Sequence, residues 1–448
     1  MKKLLIPGGT IRLLSGFLTL AALLLPAVLA AQEPALTLEE AVKMALRMNE
    51  RAISAGEELT AAQARVAQAR AAFLPSFIAS TTYTRRPFEV TRQIGNTSMV
   101  IQSFNALSGT GTLNLTLFNA ANIPTFNYYK AGRTAQEFAS AESRRQLSFE
   151  VGQAFLTALS TMQVLEASKH RYNYARQNLE AAKARYDAGL VSVNDVTRVE
   201  LELASAEMSV IQGQGQTETT ILQFGNLLND PDVAKKTLIA PEFLIAADSS
   251  RFDDIESMIG EAQIRRLDLN ALRWEAKAQQ ALILQSTLAW FPSLSFATRV
   301  TYTNEAGLTG RNWNWNLGLT LSWSIFDGLF RNAQYRELNA LAKIADLDVQ
   351  AALRGVEVDV RQARVSLASQ KAALKQAEVA LDVAKKNAHE TSELYRQGLA
   401  TALEVADATV SLFEAEVAQV RQRFNLGISF LNLEAALGLD PFGKEPVR

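Results

Sequence analysis

The sequence predicts a mainly α chain that carries a membrane β segment and is built as an internal duplication. Three observations predict it. Residues 313–325, Trp-Asn-Trp-Asn-Leu-Gly-Leu-Thr-Leu-Ser-Trp-Ser-Ile, alternate apolar or aromatic side chains with small or polar ones. Successive strand side chains point to opposite faces, so one face is greasy and the other wet. A tilted membrane-spanning strand needs roughly 9–11 residues, and this run supplies them. Trp313, Trp315 and Trp323 lie near its two ends, where an aromatic girdle meets lipid headgroups. Second, Thr125 to Ala188 and Leu329 to Gln397 contain no proline. As helices they would extend about 96 and 100 Å at ~1.5 Å per residue. Third, one order of elements occurs twice. A soluble sandwich strand also alternates, but the rest of the chain offers no set of partner strands for a sandwich.

The chain has 448 residues and a formal net charge of −1. Lys2, Lys3 and Arg12 precede the apolar run Phe17–Leu29, and Val28-Leu29-Ala30 suits a cleavage site, so residues 1–30 read as a secretory signal peptide. That run is short for a transmembrane helix, and no other stretch is long enough. Without the signal the net charge is about −4, which argues against a nucleic-acid partner. Cysteine is absent. This excludes disulfides, thiolate metal sites and lipid on an N-terminal cysteine. His170 and His389 are isolated and read as solvated surface residues. There is no nucleophile elbow, phosphate loop or metal-spaced cluster, so neither catalysis nor a cofactor is expected.

The first repeat spans residues 31–228. Ala35–Leu74 reads as one helix, opened by the capping box Thr37-Leu38-Glu39-Glu40. Leu74-Pro75-Ser76 ends it, and Phe77, Ala79, Thr81 and Tyr83 alternate in a first strand. Residues 85–108 read as a long polar loop. Leu113, Leu115 and Leu117 mark a second strand, which ends at Phe118-Asn119. In the long helix that follows, Val151, Ala158, Leu165, Tyr172, Leu179 and Tyr186 recur every seven residues, the period of a left-handed supercoil. Gly189 stops that helix. Ser192 opens a return helix with Asp195 at the capping-box position, running to about Leu228 and expected to break near Gly213 and Gly215.

Residues 229–255 read as a connector with a small peripheral element. The plan then repeats over 256–438. Glu256–Trp290 is a helix, Phe291-Pro292-Ser293 echoes Leu74-Pro75-Ser76, Leu294 to Tyr302 is a third strand, and residues 313–325 are the fourth, ending at Phe326-Asp327. In the second long helix Leu353, Val360, Leu367, Leu374, Leu381, Ala388 and Tyr395 recur every seven. Tyr395-Arg396-Gln397-Gly398-Leu399 echoes Tyr186-Asp187-Ala188-Gly189-Leu190, and Thr401-Ala402-Leu403-Glu404 opens the last helix. Residues 439–448 read as a tail. The narrow, alanine-rich apolar stripes suit close-packed helix walls rather than a fat core.

Four membrane strands cannot close a barrel; about eight is the practical minimum. An open edge in lipid leaves backbone groups unpaired at several kcal/mol each. The chain must therefore complete its sheet with copies of itself. Two copies would give eight strands with a filled lumen, and three would give twelve with a wider passage. A solid coiled-coil stalk without a bore has the same helical periodicity.

The doubled plan, the Leu-Pro-Ser and Phe-Pro-Ser strand openings, Phe326-Asp327-Gly328, and the two Tyr-x-x-Gly-Leu turns followed by Asp195-Val196 and Glu404-Val405 resemble the TolC-type outer-membrane efflux protein family. The resemblance covers about Leu36 to Leu439. It implies a homotrimer with a twelve-strand β-barrel in the outer membrane and a twelve-helix α-barrel crossing the periplasm. It implies a periplasmic adaptor and an inner-membrane transporter as partners, and export of small molecules or polypeptides. By the same resemblance Glu404 and Asp407 line a pore constriction, and Tyr395 and Asp195 form a link that holds the entrance shut. Asn194 matches one side of a second link, whose arginine partner is replaced by Ala400. Gly189, Leu190, Ser192, Gly398, Leu399 and Thr401 match adaptor contacts.

Each of these residues has a plainer reading. Glu404 caps with Thr401, Asp407 sits near a helix N-terminus where acids are favoured, Tyr395 is a heptad residue, and glycines and hydroxyls stop and start helices. Two other functions compete with an export duct: a non-transporting structural or adhesive outer-membrane stalk, and a soluble periplasmic enzyme on a helical scaffold.

Overall fold

A computed structural model describes residues 35–95, 97–241, 254–306 and 310–445. The expected signal peptide, residues 1–30, lies outside the described residues. The first half runs β1 (Ala35–Leu36), α1 (Leu38–Met48), α2 (Glu50–Ala71), β2 (Ser76–Arg85), β3 (Val90–Ile94), β4 (Thr97–Gln102), β5 (Asn105–Phe118), α3 (Asn122–Asp187) and α4 (Val193–Leu228). A 3₁₀ turn, Pro231–Lys235, leads to β6 (Thr237–Leu238). The second half runs α5 (Ile255–Arg265), α6 (Leu267–Leu288), β7 (Ser293–Thr303), β8 (Trp313–Ser322), α7 (Phe330–Arg396) and α8 (Ala402–Ala436).

The two long helices form, with 66 residues in α3 and 67 in α7. Both return helices form, and α4 passes through Gly213 and Gly215 without the expected break. Gly213 instead permits a close approach: a Cβ there would stand 3.2 Å from Leu165 Cδ1. The expected first helix is in fact two. Asn49 adopts φ −75°, ψ 134°, ends α1, and caps α2 by accepting from Arg51 N at 2.9 Å. Its amide also donates to Leu227 O at 2.9 Å. The expected helix 256–290 is likewise divided at Arg266. The expected loop 85–108 contains the antiparallel hairpin β3–β4, turned at Gly95 with φ +66°. Strand β8 ends at Ser322, three residues before Ile325.

The main sheet has the order β2-β5-β7-β8, antiparallel throughout. Its register aligns the alternation of all four strands. Trp315 pairs with Val300, Val300 with Gly111 and Gly111 with Ala79. Leu317 pairs with Thr298, Thr298 with Leu113 and Leu113 with Phe77. One apolar face therefore crosses the whole sheet, backed by a face mostly of Ser, Thr and Asn that also carries Ile78 and Arg299. Strands β2 and β8 are its two edges, and β8 is exposed on both faces.

The helices continue that order away from the sheet. Near the sheet α2 packs on α3, α3 on α6 and α6 on α7. Farther on, α4 packs on α3, α3 on α8 and α8 on α7. Each unit thus has two lateral flanks, α2 with α4 on one side and α7 on the other.

The expectation of narrow stripes alone fails at mid-height. There β1, α1, α3, α4, α5, α6, α7 and α8 converge on one substantial core containing Phe155, Phe224, Phe424, Leu156, Leu431 and Val360. Phe155 and Phe224 meet edge to face at 5.8 Å. The short β1 pairs in parallel with β6 here, so the connector is tied to the first helix. Residues 439–445 also join this waist rather than trailing away: Leu439 is buried, and Arg145 donates to Leu439 O and Ala435 O, each at 3.0 Å. Glu142 accepts two bonds of 2.8 Å from the same buried guanidinium, which satisfies a charge that would otherwise be costly to bury.

Toward the far end the packing changes character. In α7 the seven-residue stripe holds, with Val360, Leu367 and Ala388 buried. In α3 it shifts. Val151 and Ala158 are fully buried, but beyond them Ser168, Ala175 and Ala182 take the seam, while Tyr186 is 47% exposed. Small side chains let helix axes approach, and the larger Leu179 and Tyr172 are left to flank the contact.

Candidate functional site

Two regions bear the predicted functional residues: the distal tips of the helix pairs and the apolar face of the sheet. At the tips, the turns α3–α4 and α7–α8 have the same construction. Gly189 and Gly398 adopt φ +75° and +78°, which favour glycine because a Cβ clashes there. Gly189 N donates to Tyr186 O (2.8 Å) and Leu190 N to Arg185 O (2.9 Å); Gly398 N donates to Tyr395 O (3.0 Å) and Leu399 N to Leu394 O (2.9 Å). This is the paired-bond glycine stop of a helix C-terminus. Leu190 and Leu399 then project into solvent, 74% and 72% exposed.

Both returns open with a capping box. Asp195 Oδ2 accepts from Ser192 N at 3.0 Å and Ser192 Oγ at 2.9 Å. Glu404 Oε2 accepts from Thr401 N at 2.7 Å and Thr401 Oγ1 at 3.0 Å. Those two bonds to Thr401, the backbone one first, hold the Glu404 carboxyl below its ordinary range despite the small opposing effect of burial. Glu404 thus performs the cap its spacing suggests. Asp407, one turn along the same helix, is exposed, as is Asn194.

Within one protomer Asp195 is engaged by its own cap, and Tyr395 is held by something else. The Arg185 guanidinium lies 4.5 Å above the Tyr395 ring and donates to Tyr395 O (2.8 Å) and Arg396 O (2.7 Å). It therefore clamps the end of α7 to the end of α3. Beneath it Leu179, Ala182, Val199, Tyr395 and Ala402 form a small separate apolar cluster. The Tyr395 hydroxyl is buried without a hydrogen-bond partner among the described residues. Arg185 was not among the residues singled out from sequence. Its partners are backbone carbonyls more than 200 positions away, so no local pattern marks it.

Higher on the same pair of hairpins, Arg171 bonds Glu202 Oε1 (3.0 Å), Ser205 Oγ (3.1 Å) and Ser209 Oγ (3.2 Å) and covers Phe413 at 4.9 Å. This ties α3, α4 and α8 together. Its legible signal was Glu202, Ser205 and Ser209, spaced three and four apart on one helix face.

On the sheet, Trp313 and Trp315 lie at the end away from the helices, 66% and 69% exposed, with Tyr302 packed on Trp313 at 5.0 Å. At the helical end Trp323 is 62% exposed and donates from Nε1 to Trp290 O at 3.1 Å. Trp290, Phe291, Phe118 and Phe326 are exposed around it. Two aromatic belts thus bracket Leu317, Leu319 and Leu321. Ten residues of strand tilted by roughly 40° separate the belts by about 25 Å, the height of an outer-membrane apolar band. Below the lower belt, Arg331 is 6% exposed. It bonds Asp327 Oδ2 and Ser324 O, each at 2.6 Å, and lies 4.1 Å over the Trp290 ring. Gly328 and Leu329, both at positive φ, turn the chain from strand into helix there. The Phe-Asp-Gly motif is the corner between membrane sheet and helical pillar.

No helix among the described residues is long and apolar enough to cross a membrane. Among the described residues no group of His, Asp or Glu could hold a metal ion.

A lipid-facing sheet continued by helices ~100 Å long defines the class: an outer-membrane protein with a periplasmic helical extension. The chain belongs to the outer membrane efflux protein family, whose sequence profile matches residues 42–230 and 258–439. Outer membrane protein TolC of Vibrio cholerae is 24% identical over 323 residues, 69% of this chain and 71% of that protein. TolC of Escherichia coli is 21% identical over 349 residues, 75% of this chain and 70% of that protein. Among solved structures, VceC of Vibrio cholerae superposes with TM-score 0.74 at 19% identity, covering 90% of this chain and 96% of its own. The Campylobacter jejuni CmeC outer membrane channel gives TM-score 0.76 at 18% identity, covering 92% and 87%. The family is one of outer-membrane efflux ducts.

Proposed function

We propose that three copies assemble side by side into one exit duct, a twelve-strand barrel in the outer membrane continued by a twelve-helix barrel in the periplasm. One observation carries the reading: both flanks of the protomer are unfinished, from the sheet to the distal hairpins. The outer sides of β2 and β8 pair with no strand among the described residues. On α4, Leu201, Met208 and Leu222 fall on one seven-residue register and are 71%, 60% and 66% exposed. On α7, Ile344, Val358, Val365 and Val379 share another such register and are 54–70% exposed. A seven-residue apolar stripe expects a facing helix. Joining α4 of one copy to α7 of the next, and β2 to β8, is a head-to-tail contact that must close as a ring. Three copies give the first barrel with an open lumen, since eight strands fill theirs with side chains.

In this assembly Glu404 and Asp407 ring the periplasmic constriction. Asp195, Tyr395 and Asn194 contribute the links that close it. Gly189, Leu190, Ser192, Gly398, Leu399 and Thr401 meet a periplasmic adaptor, with the exposed Leu190 and Leu399 as its apolar anchors. The duct then serves an inner-membrane transporter in a tripartite efflux pump or a type I secretion system. The supporting measurement is the mass of detergent-solubilised protein together with conductance in planar bilayers. A trimer that conducts is expected, and Leu201→Glu combined with Val365→Glu should dissociate it. A monomer without conductance defeats the reading.

A further inference from the structure

The polar face of the sheet carries one charged side chain. By register, its residues on the row through Thr112 are Ile78, Thr112, Arg299 and Asn316. Arg299 alternates with Thr298 and Val300, which share the apolar face with Leu317 and Trp315. Neither Asp nor Glu occurs in any of the four strands. The other charge, Arg85, sits at the outermost row on the opposite face, bonded to Asn105. Arg299 is exposed, and among the described residues no hydrogen bond or ion pair engages it. Placing an arginine on the lipid face at mid-membrane would cost about 2–4 kcal/mol, so this face is the lumen.

We propose that Arg299 forms a cationic ring inside the barrel that binds oxyanion groups, phosphate, sulfate or carboxylate, of solutes leaving the duct. The proposal rests on the three-copy assembly above. Twelve strands about 4.8 Å apart and tilted by roughly 40° close at a radius of about 12 Å. Three guanidiniums reaching inward at one height then stand within about a Debye length of the axis, ~8–10 Å at moderate salt. Their planar forks suit two-point contact with oxyanions. Asn316 and Thr112, the cross-strand neighbours of Arg299, add neutral hydrogen-bonding groups. The ring lies about 20 Å along the strand from the helical end, by the ~3.3 Å rise per residue. It is therefore well separated from the acidic residues at the distal tips.

The test is block of single-channel current by inorganic tripolyphosphate added from the barrel side. Wild type should be blocked, Arg299→Gln should weaken the block about tenfold, and Arg299→Lys should retain most of it. Reversal potentials in a KCl gradient should move toward cation preference in Arg299→Gln. Conducting wild-type channels that ignore tripolyphosphate, or Arg299→Gln channels blocked as well as wild type, overturn the ring and leave the duct standing. Wild-type protein that does not conduct at all overturns the duct itself, and the ring with it.

Discussion

The waist and the distal tips are built from the same four long helices by opposite means. At the waist, Phe155, Phe224 and Phe424 are essentially inaccessible, the Arg145–Glu142 pair is buried, and chain segments from both halves and the C-terminal end lock together. At the tips the apolar cluster shrinks to Ala182, Val199 and Ala402 with Leu179 and Tyr395 beside it, and the two hairpins are joined through one guanidinium. Packing free energy scales with buried apolar area, so the waist holds the fold while the tips can part at modest cost. The proposed gated entrance would need that division: a region of low local stability on a frame that does not yield.

The comparison can be broken most directly at the waist. Phe155→Ala should destabilise by about 3–5 kcal/mol, the usual cost of emptying an aromatic site in a core. Thermal unfolding in detergent and the amount of protein reaching the outer membrane would both fall. A neutral result would mean the mid-height core is not what holds the helices.

The tip is sharpened by Arg185→Ala. Removing its two carbonyl bonds and its stacking on Tyr395 should loosen the hairpins by about 1–3 kcal/mol. Hydrogen exchange should rise at residues 179–199 and 388–405 with little change at the waist. Resting conductance should rise as well. A drop in global stability as large as that of Phe155→Ala would erase the distinction between the two regions.

The smallest effect concerns the caps. Thr401→Ala should cost about 0.5–2 kcal/mol, felt in the first turn of α8. Its pH dependence has a defined sign. The Glu404 carboxyl titrates below its ordinary range in the folded protein, so its contribution is complete above that range and is lost as pH falls through the lowered value. Exchange protection at the start of α8 should therefore decline on acidification in the wild type. The decline should be absent in Glu404→Ala. Equal acid sensitivity in both would remove Glu404 from the cap.

Much of the architecture was legible because its signals are periodic and local. Alternation in residues 313–325 foretold a two-faced strand, and the register later placed the same alternation on three neighbours. The stripe Val360, Leu367, Ala388 read true because α6 and then α8 pack in succession on the same side of α7. The α3 stripe drifted because α3 packs in turn against α2, α6, α4 and α8, so no single face stays inside. The break at Asn49 was hidden by alanine-rich composition on both sides, although Asn followed by Glu50 is a helix-start signal. The β3–β4 hairpin was concealed in polar sequence, with Gly95 the visible turn signal. Caps at Ser192 and Thr401 could be read in full, since both partners lie within three residues. Arg185 could not, because its carbonyl partners lie more than 200 positions away; of the Arg171 knot only the acceptor face Glu202, Ser205 and Ser209 could be read.

The bare margins of the four-strand sheet carry one more consequence. Lipid offers nothing to satisfy a row of peptide groups, so a solitary chain has no comfortable way to cross it. In the proposed assembly, recruitment of sibling chains would accompany or precede passage into the bilayer, because an incomplete ring leaves an open edge in lipid. Hydrogen-bonding valence would then discriminate complete rings from incomplete ones.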